Sequence, residues 1–302
     1  MIKNKKIFIS GAGGMLGEAC FKILNKNNIL KCTDINLNEN WLDFLDITDE
    51  EKYKKEVLNF KPDYLFHLGA ITSLEECEEN PDKAYLTNTI SVETAVMIAN
   101  YLKIKLIYIS TAGIFDGKKD SYNDWDKPNP ISIYGKSKFY AEEFVQKNSL
   151  DYLILRPGWM MGGGPKKDKK FINLIYKQIK EGKKNLKIVN DKNGTPTYTY
   201  DFVKNIELLI LNNNIGLFNC VCEGLTDRLE VAKEILQIVN LDNQISIDEV
   251  DSNFFNKNFY ADRPKSERLI NYKLSLINKN IMRNWKICLK EYLKNHFTFH
   301  EN

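Results

Sequence analysis

An α/β fold is predicted for this chain, a parallel sheet wound by helices on both faces with a smaller C-terminal lobe, and three features predict it. Short apolar strand patterns alternate with helical ones from Lys6 to Pro157. The first strand, Lys6 to Ser10, runs straight into Gly11-Ala12-Gly13-Gly14-Met15-Leu16-Gly17, which opens a helix through Ala19, Phe21, Ile23 and Leu24. The second strand, Ile29 to Thr33, stops at Asp34, about twenty residues beyond the glycines. Strand, glycine turn, helix start and then a carboxylate at that distance predict a Rossmann-type, doubly wound parallel sheet that binds a dinucleotide.

The glycine turn justifies itself chemically. Glycines let the backbone bend and approach a ligand with no Cβ in the way, and the first helical N–H groups point at whatever anion sits there. The spacing Gly11, Gly14, Gly17 suits a pyrophosphate. Asp34 is the expected NAD(H) determinant, because its carboxylate would repel a 2′-phosphate and no arginine lies nearby to accept one. A local turn cap in Asp34-Ile35-Asn36 is the alternative. Asp46-Ile47-Thr48-Asp49 precedes a helix Glu50 to Phe60, with Thr48 or Asp49 as its cap.

Lys61-Pro62-Asp63 breaks the chain before the apolar strand Tyr64 to Leu68, and Gly69-Ala70 follow at its carboxyl end, where cofactors bind in such sheets. His67, alone within that strand, reads as a satisfied core histidine without a role. Glu75 to Asp82 is acidic and reads as a solvated loop or helix face. Ala84 to Leu102 has the apolar spacing of one long helix carrying Asn88 on its first turns, and Lys105 to Ser110 is the next buried strand.

Composition limits the function. The chain has 302 residues, 43% hydrophobic and 27% charged, with a net charge of +3, which argues against disorder and against a nucleic-acid-binding surface. It shows neither a long apolar run nor a signal peptide, so a cytoplasmic protein without membrane contact is expected. Six scattered cysteines and three histidines suggest neither a disulfide framework nor a metal site.

The chemical centre lies after the strand ending in Ser110-Thr111. Following Pro128-Asn129-Pro130 comes Ile133-Tyr134-Gly135-Lys136-Ser137-Lys138. Residues four apart share a helix face, so Tyr134 and Lys138 can reach one ligand, and an ammonium beside a phenol would lower the phenol's pKa. A tyrosine so tuned can pass a proton to a carbonyl.

With these motifs in order, the chain resembles the extended short-chain dehydrogenase/reductases. Leu155-Arg156-Pro157, Gly194-Thr195-Pro196-Thr197 with Asp201, and Arg263-Pro264 narrow the resemblance to the dTDP-4-dehydrorhamnose reductase family, over nearly the whole chain. It implies a nucleotide-sugar oxidoreductase with Thr111, Tyr134 and Lys138 catalytic: Thr111 holds the substrate oxygen, Tyr134 donates the proton, and Lys138 binds the nicotinamide ribose and tunes Tyr134. It also implies Gly11, Gly14, Met15, Leu16 and Gly17 at the pyrophosphate, Asp46 and Ile47 near adenine, and Gly69, Ala70, Asn88 and Pro157 around the rest of the cofactor. Trp159, Thr197 and Arg263 are implied at the substrate. The cofactor expected is NAD(H), with NADP(H) the alternative, and a homodimer is left open.

The family usually carries an acidic residue and an aromatic directly after the threonine, where this chain has Ala112 and Gly113. That argues against a nucleotide-sugar dehydratase, which needs a carboxylate pair there. A nucleotide-sugar epimerase with bound NAD, or a silent cofactor-binding subunit like the regulatory subunit of methionine adenosyltransferase, remain as other readings. The dinucleotide domain is expected over residues 1–157. Residues 158–302 are expected to form mainly the substrate lobe, with some segments returning to the first domain. There, Lys166, Lys167, Lys169 and Lys170 read either as a solvated helix start or as ligands for a sugar diphosphate, and Arg263 either as a diphosphate ligand or as one half of an ion pair.

Overall fold

The computed structural model describes residues 1–298. Its centre is a seven-stranded, wholly parallel sheet. In chain order the strands are β1 (Lys6–Ser10), β2 (Ile29–Asp34), β3 (Asp43–Phe44), β4 (Tyr64–His67), β5 (Lys105–Ile109), β6 (Tyr152–Arg156) and Gly216–Asn219. In space the order is Gly216–Asn219, β6, β5, β4, β1, β2, β3. The order reverses between β1 and β4, which places a crevice at their carboxyl ends. Register makes those ends level: Ser10 lies opposite both Thr33 and His67.

Strand side chains alternate between two cores. Ile7, Ile9, Phe66, Ile107, Leu153 and Leu155 pack on one face with α1 (Met15–Leu24) and the helix Thr199–Leu211. Phe8, Leu65, Leu106, Tyr108 and Ile154 pack on the other with α2 (Glu50–Phe60) and the helix Ser91–Leu102. Asp49 caps α2, accepting from the Lys52 N–H at 3.1 Å.

The acidic stretch forms a short helix, Leu74–Glu79. The single long helix expected over Ala84 to Leu102 is broken instead: Pro81–Tyr85 runs into a π-helical turn at Leu86–Ile90 before Ser91–Leu102 continues. The wider turn rotates the register, and Asn88 is fully buried there. The lobe adds three small ladders: Trp159–Met161 with Pro196–Tyr198, Asn185–Val189 with Ser246–Val250, and Asn193–Gly194 between Thr226–Asp227 and Ser266–Glu267. All six cysteines are buried and unpaired. Among the described residues no helix is long and apolar enough to cross a membrane.

Candidate active site

The glycine turn is shaped by contacts that leave no room for side chains. Gly11 has φ +73°, and a Cβ on it would stand 2.3 Å from the Gly69 Cα, so the ends of β1 and β4 touch backbone to backbone. A Cβ on Gly17 would lie 2.1 Å from the Ala12 carbonyl, which seats α1 hard against the turn. Gly14 caps α1 in an extended conformation, and the nearest atom to a Cβ there would be 3.9 Å away, so its face is open. Leu16 is buried in the core and Met15 half-buried. Ile47 lies against Gly69, its Cδ1 2.6 Å from where a Cβ would stand, and Ala70 follows half-buried.

The neighbouring polar residues are more tied down than their sequence suggests. Asp34 accepts from the Gly13 N–H at 2.9 Å and from the Asn36 N–H at 2.8 Å, so it braces the glycine turn and caps its own. Asp46 accepts from the Thr48 N–H and hydroxyl at 2.9 and 2.7 Å. Asn88, with no exposed surface, pairs with both backbone groups of Ile71 and with the Ser137 hydroxyl, so it positions the loop after Ala70. The Pro157 carbonyl accepts the Ala112 N–H at 2.9 Å and fixes the turn after Thr111.

Two observations fit a dinucleotide in this crevice. The Gly14 face gives an anion direct access to the start of α1, and the Ser110 hydroxyl, at the end of β5, is buried without a hydrogen-bond partner.

Thr111 and Tyr134 meet in front of β5. The Thr111 hydroxyl accepts from the Gly113 N–H at 3.1 Å and caps the turn Ala112–Ile114. The helix Ile133–Asn148 begins at Ser132, whose Oγ accepts from the Gly135 N–H. Gly135 lets that helix press on the turn, since a Cβ there would be 2.4 Å from the Gly113 carbonyl. Burial pushes the Tyr134 phenol up to about 12; its hydrogen bond with Thr111 opposes the rise, and Glu267 and Cys77 add to it. Lys138 lies one helical turn on with its Nζ 4.3 Å from the centre of the Tyr108 ring, and burial lowers it to about 7, opposed by Glu142.

Desolvation is the first cause at both groups. Behind them His67 is neutral, lowered to about 3 by burial and by Lys138, and bonded to Tyr53 at 2.9 Å and Ser91 at 3.2 Å. That agrees with a satisfied core histidine. A buried pair, Arg156 with Glu142, ties β6 to the Tyr134 helix.

Residues 5–297 match the RmlD substrate binding domain. The chain belongs to that family. It is an oxidoreductase of the extended short-chain dehydrogenase/reductase type. It is 28% identical over 292 residues to the spore coat polysaccharide biosynthesis protein SpsK of Bacillus subtilis (strain 168), covering 96% of this chain and 97% of that one. It superposes on a dTDP-4-dehydrorhamnose reductase from Clostridium acetobutylicum with a TM-score of 0.87 and 33% identity, over 96% and 99% of the two chains. A dTDP-4-dehydrorhamnose reductase from Bacillus anthracis, solved in complex with NADP, gives a TM-score of 0.88 at 27% identity over 97% and 99%.

On the substrate side of this RmlD-family fold, the structure rearranges what the sequence suggests. Trp159 is closely packed: a Cβ on Gly194 would stand 2.2 Å from its ring, and the Arg228 guanidinium lies 3.7 Å from the ring centre. Its indole N–H donates to Glu267 at 2.9 Å. Thr197 is fully buried and its hydroxyl accepts from the Gly158 N–H at 2.9 Å, so it supports the approach to Trp159. Arg263 makes a two-point ion pair with Glu75, at 2.7 and 2.9 Å, which is the ion-pair alternative. Lys167 is buried against the Gly13 carbonyl at 3.1 Å, and Lys166 holds the Asn38 carbonyl at 2.9 Å, so both serve the loop beside Asp34. Lys170 holds the Thr72 carbonyl at 3.2 Å and feels the charges of Asp168, Arg228, Arg263 and Glu267.

Arg228 and Glu267 are the residues sequence reasoning missed. Arg228 reads as an ordinary first residue of a helix, and Glu267 as an unremarked charge three residues after Pro264; neither carries a spacing signal.

Proposed function

We propose that this chain reduces the keto carbon of a nucleotide-linked 4-keto-6-deoxy sugar, with NADH preferred to NADPH. The observation that carries the reading is Tyr134: a phenol in contact with the Thr111 hydroxyl, held protonated by burial, at the open ends of the strands. When bound, the reduced nicotinamide supplies the hydride. The chain's part is to hold the keto oxygen between the hydroxyls of Thr111 and Tyr134 and to pass the Tyr134 proton to that oxygen as negative charge develops on it. A phenol titrating near 12 is protonated at neutral pH, the state that proton donation requires.

Lys138, on the same helix face, is the expected holder of the nicotinamide ribose hydroxyls. Lys170 and Arg228 take the diphosphate of the sugar nucleotide, Arg228 by two-point contact; burial holds Arg228 at about 10, low for a guanidinium but still charged at neutral pH. The likeness to the two solved reductases supports the substrate class, and Asp34 at the glycine turn supports the cofactor preference. The test is to follow NADH absorbance with a panel of nucleotide 4-keto sugars. Steady oxidation with at least one supports the reading; none with any of them, at saturating cofactor, overturns it and favours a silent subunit.

A further inference from the structure

The turn after Thr111 carries no carboxylate of its own. Ala112 is buried in the apolar cluster of Ile114, Phe115, Tyr122, Val221 and Leu269, and Gly113 has no side chain. Yet a carboxylate faces the space in front of Gly113. A Cβ on Gly113 would stand 3.4 Å from the Thr111 hydroxyl oxygen, 3.5 Å from Cε1 of the Tyr134 ring and 3.6 Å from Oε1 of Glu267. A hydroxyl, a phenol and a carboxylate therefore surround one small volume that the missing side chain leaves clear.

Glu267 is held for this position. Its backbone lies in the short strand Ser266–Glu267, parallel to Asn193–Gly194. Its Oε2 accepts the Trp159 indole N–H at 2.9 Å, and Trp159 is itself packed against Gly194 and Arg228. Its Oε1 has no hydrogen-bond partner among the described residues and is the one of its two oxygens that faces Gly113. An ionised carboxylate only accepts, so the group that completes this site must be a donor. If Thr111 and Tyr134 hold the oxygen of a reacting carbonyl, that donor sits on the ring atom beside it. In a hexose reacting at C4, one neighbour, C5, bears the ring oxygen, and the other, C3, bears a hydroxyl.

We infer that Glu267 reads the sugar, accepting a hydrogen bond from the hydroxyl on C3 and so selecting substrates that carry one. This rests on the reductase reading above. Glu267 reaches the site from the far end of the chain, in place of a carboxylate in the turn itself.

The experiment is calorimetric titration of the protein loaded with oxidised cofactor, using a dTDP-linked 6-deoxyhexose and the same compound lacking its 3-hydroxyl. The unaltered protein should prefer the hydroxylated compound. In Glu267→Ala the preference for the hydroxylated over the 3-deoxy compound should shrink about 10- to 100-fold, the usual worth of a hydrogen bond to a charged group, whatever loss both compounds share through Trp159. Glu267→Gln, which keeps an acceptor for Trp159, should lose less. Unchanged cofactor affinity in both variants certifies their folds. Discrimination that persists undiminished in Glu267→Ala overturns the assignment while leaving the reductase reading standing. Failure of the unaltered protein to bind either compound removes the reductase reading, and the role of Glu267 with it.

Discussion

The cofactor side of the crevice and its substrate side differ in how the chain assembles them. On the cofactor side Gly11, Asp34, Gly69 and Thr111 lie at or just beyond the carboxyl ends of strands, and the parallel register that sets Ser10 opposite Thr33 and His67 brings those ends level. On the substrate side Trp159, Lys170, Arg228 and Glu267 meet because Asn193–Gly194 pairs with two other short strands and because Gly194 leaves room for an indole. The first wall is written in periodicity. The second depends on a few close approaches between distant segments, and its electrostatics follow from them: Arg228 loses stabilisation of its charge through burial and Arg263 and regains some from Glu267 and Asp168.

Tyr134 stands where the two walls join, so changing it should produce the largest effect. Tyr134→Phe removes the hydroxyl alone and is expected to lower turnover by about 10² to 10⁴ with cofactor affinity nearly unchanged. Lys138→Met, one turn deeper on the cofactor side, should lose turnover and cofactor affinity together. Steady-state kinetics and isothermal titration with NADH on the same two variants check this. Equal losses of cofactor affinity in both would break the division between the walls, and unchanged turnover in Tyr134→Phe would take the phenol out of the mechanism.

That division also marks what could be read from the amino acids alone. The glycine turn, the strand ending at Asp34 and the Tyr134–Lys138 spacing are local patterns, and each places its residues at the crevice. What the amino acids alone did not show is where polar groups find partners across the fold. Asn88 turned inward because a π-helical turn interrupts its helix. Thr197 turned inward because the Gly158 N–H needed an acceptor. Lys138 and Tyr134 are buried together, and burial is the first cause of the shift at each. Glu267 was invisible because its contacts with Trp159 and Gly113 span most of the chain.

A smaller effect is expected within the cofactor wall. Two like charges about 4 Å apart repel by about 4 kcal/mol at an effective dielectric of about 20, so Asp34 should favour NADH strongly. Its carboxylate also accepts the Gly13 N–H, so Asp34→Ala should weaken both cofactors while narrowing the ratio between them. Asp34→Asn removes the charge but keeps an acceptor, and should narrow the ratio with less loss of NADH affinity. Titrations of the three proteins with NADH and NADPH check it. Equal affinity for both cofactors in the unaltered protein would show that Asp34 acts as a brace for the turn alone.

The smallest effect concerns the floor of that wall and is read as stability. Lys138 titrates at about 7 in the fold against 10.5 for a free lysine, and burial is the first cause. Between those values the unfolded chain carries a proton at this position that the folded chain has released, so this group makes the unfolding free energy rise with pH across the window and leaves it lowest below about 7. The slope is at most about 1.4 kcal/mol per pH unit. Lys138→Met has no such proton to release. In urea unfolding of the cofactor-free proteins, the stability of the unaltered chain relative to Lys138→Met should therefore climb from neutral pH to about pH 10 and then level off. A difference that stays flat over that range would mean that Lys138 keeps its proton in the fold, supported by the Tyr108 ring face and Glu142, and acts as a permanent cation behind Tyr134.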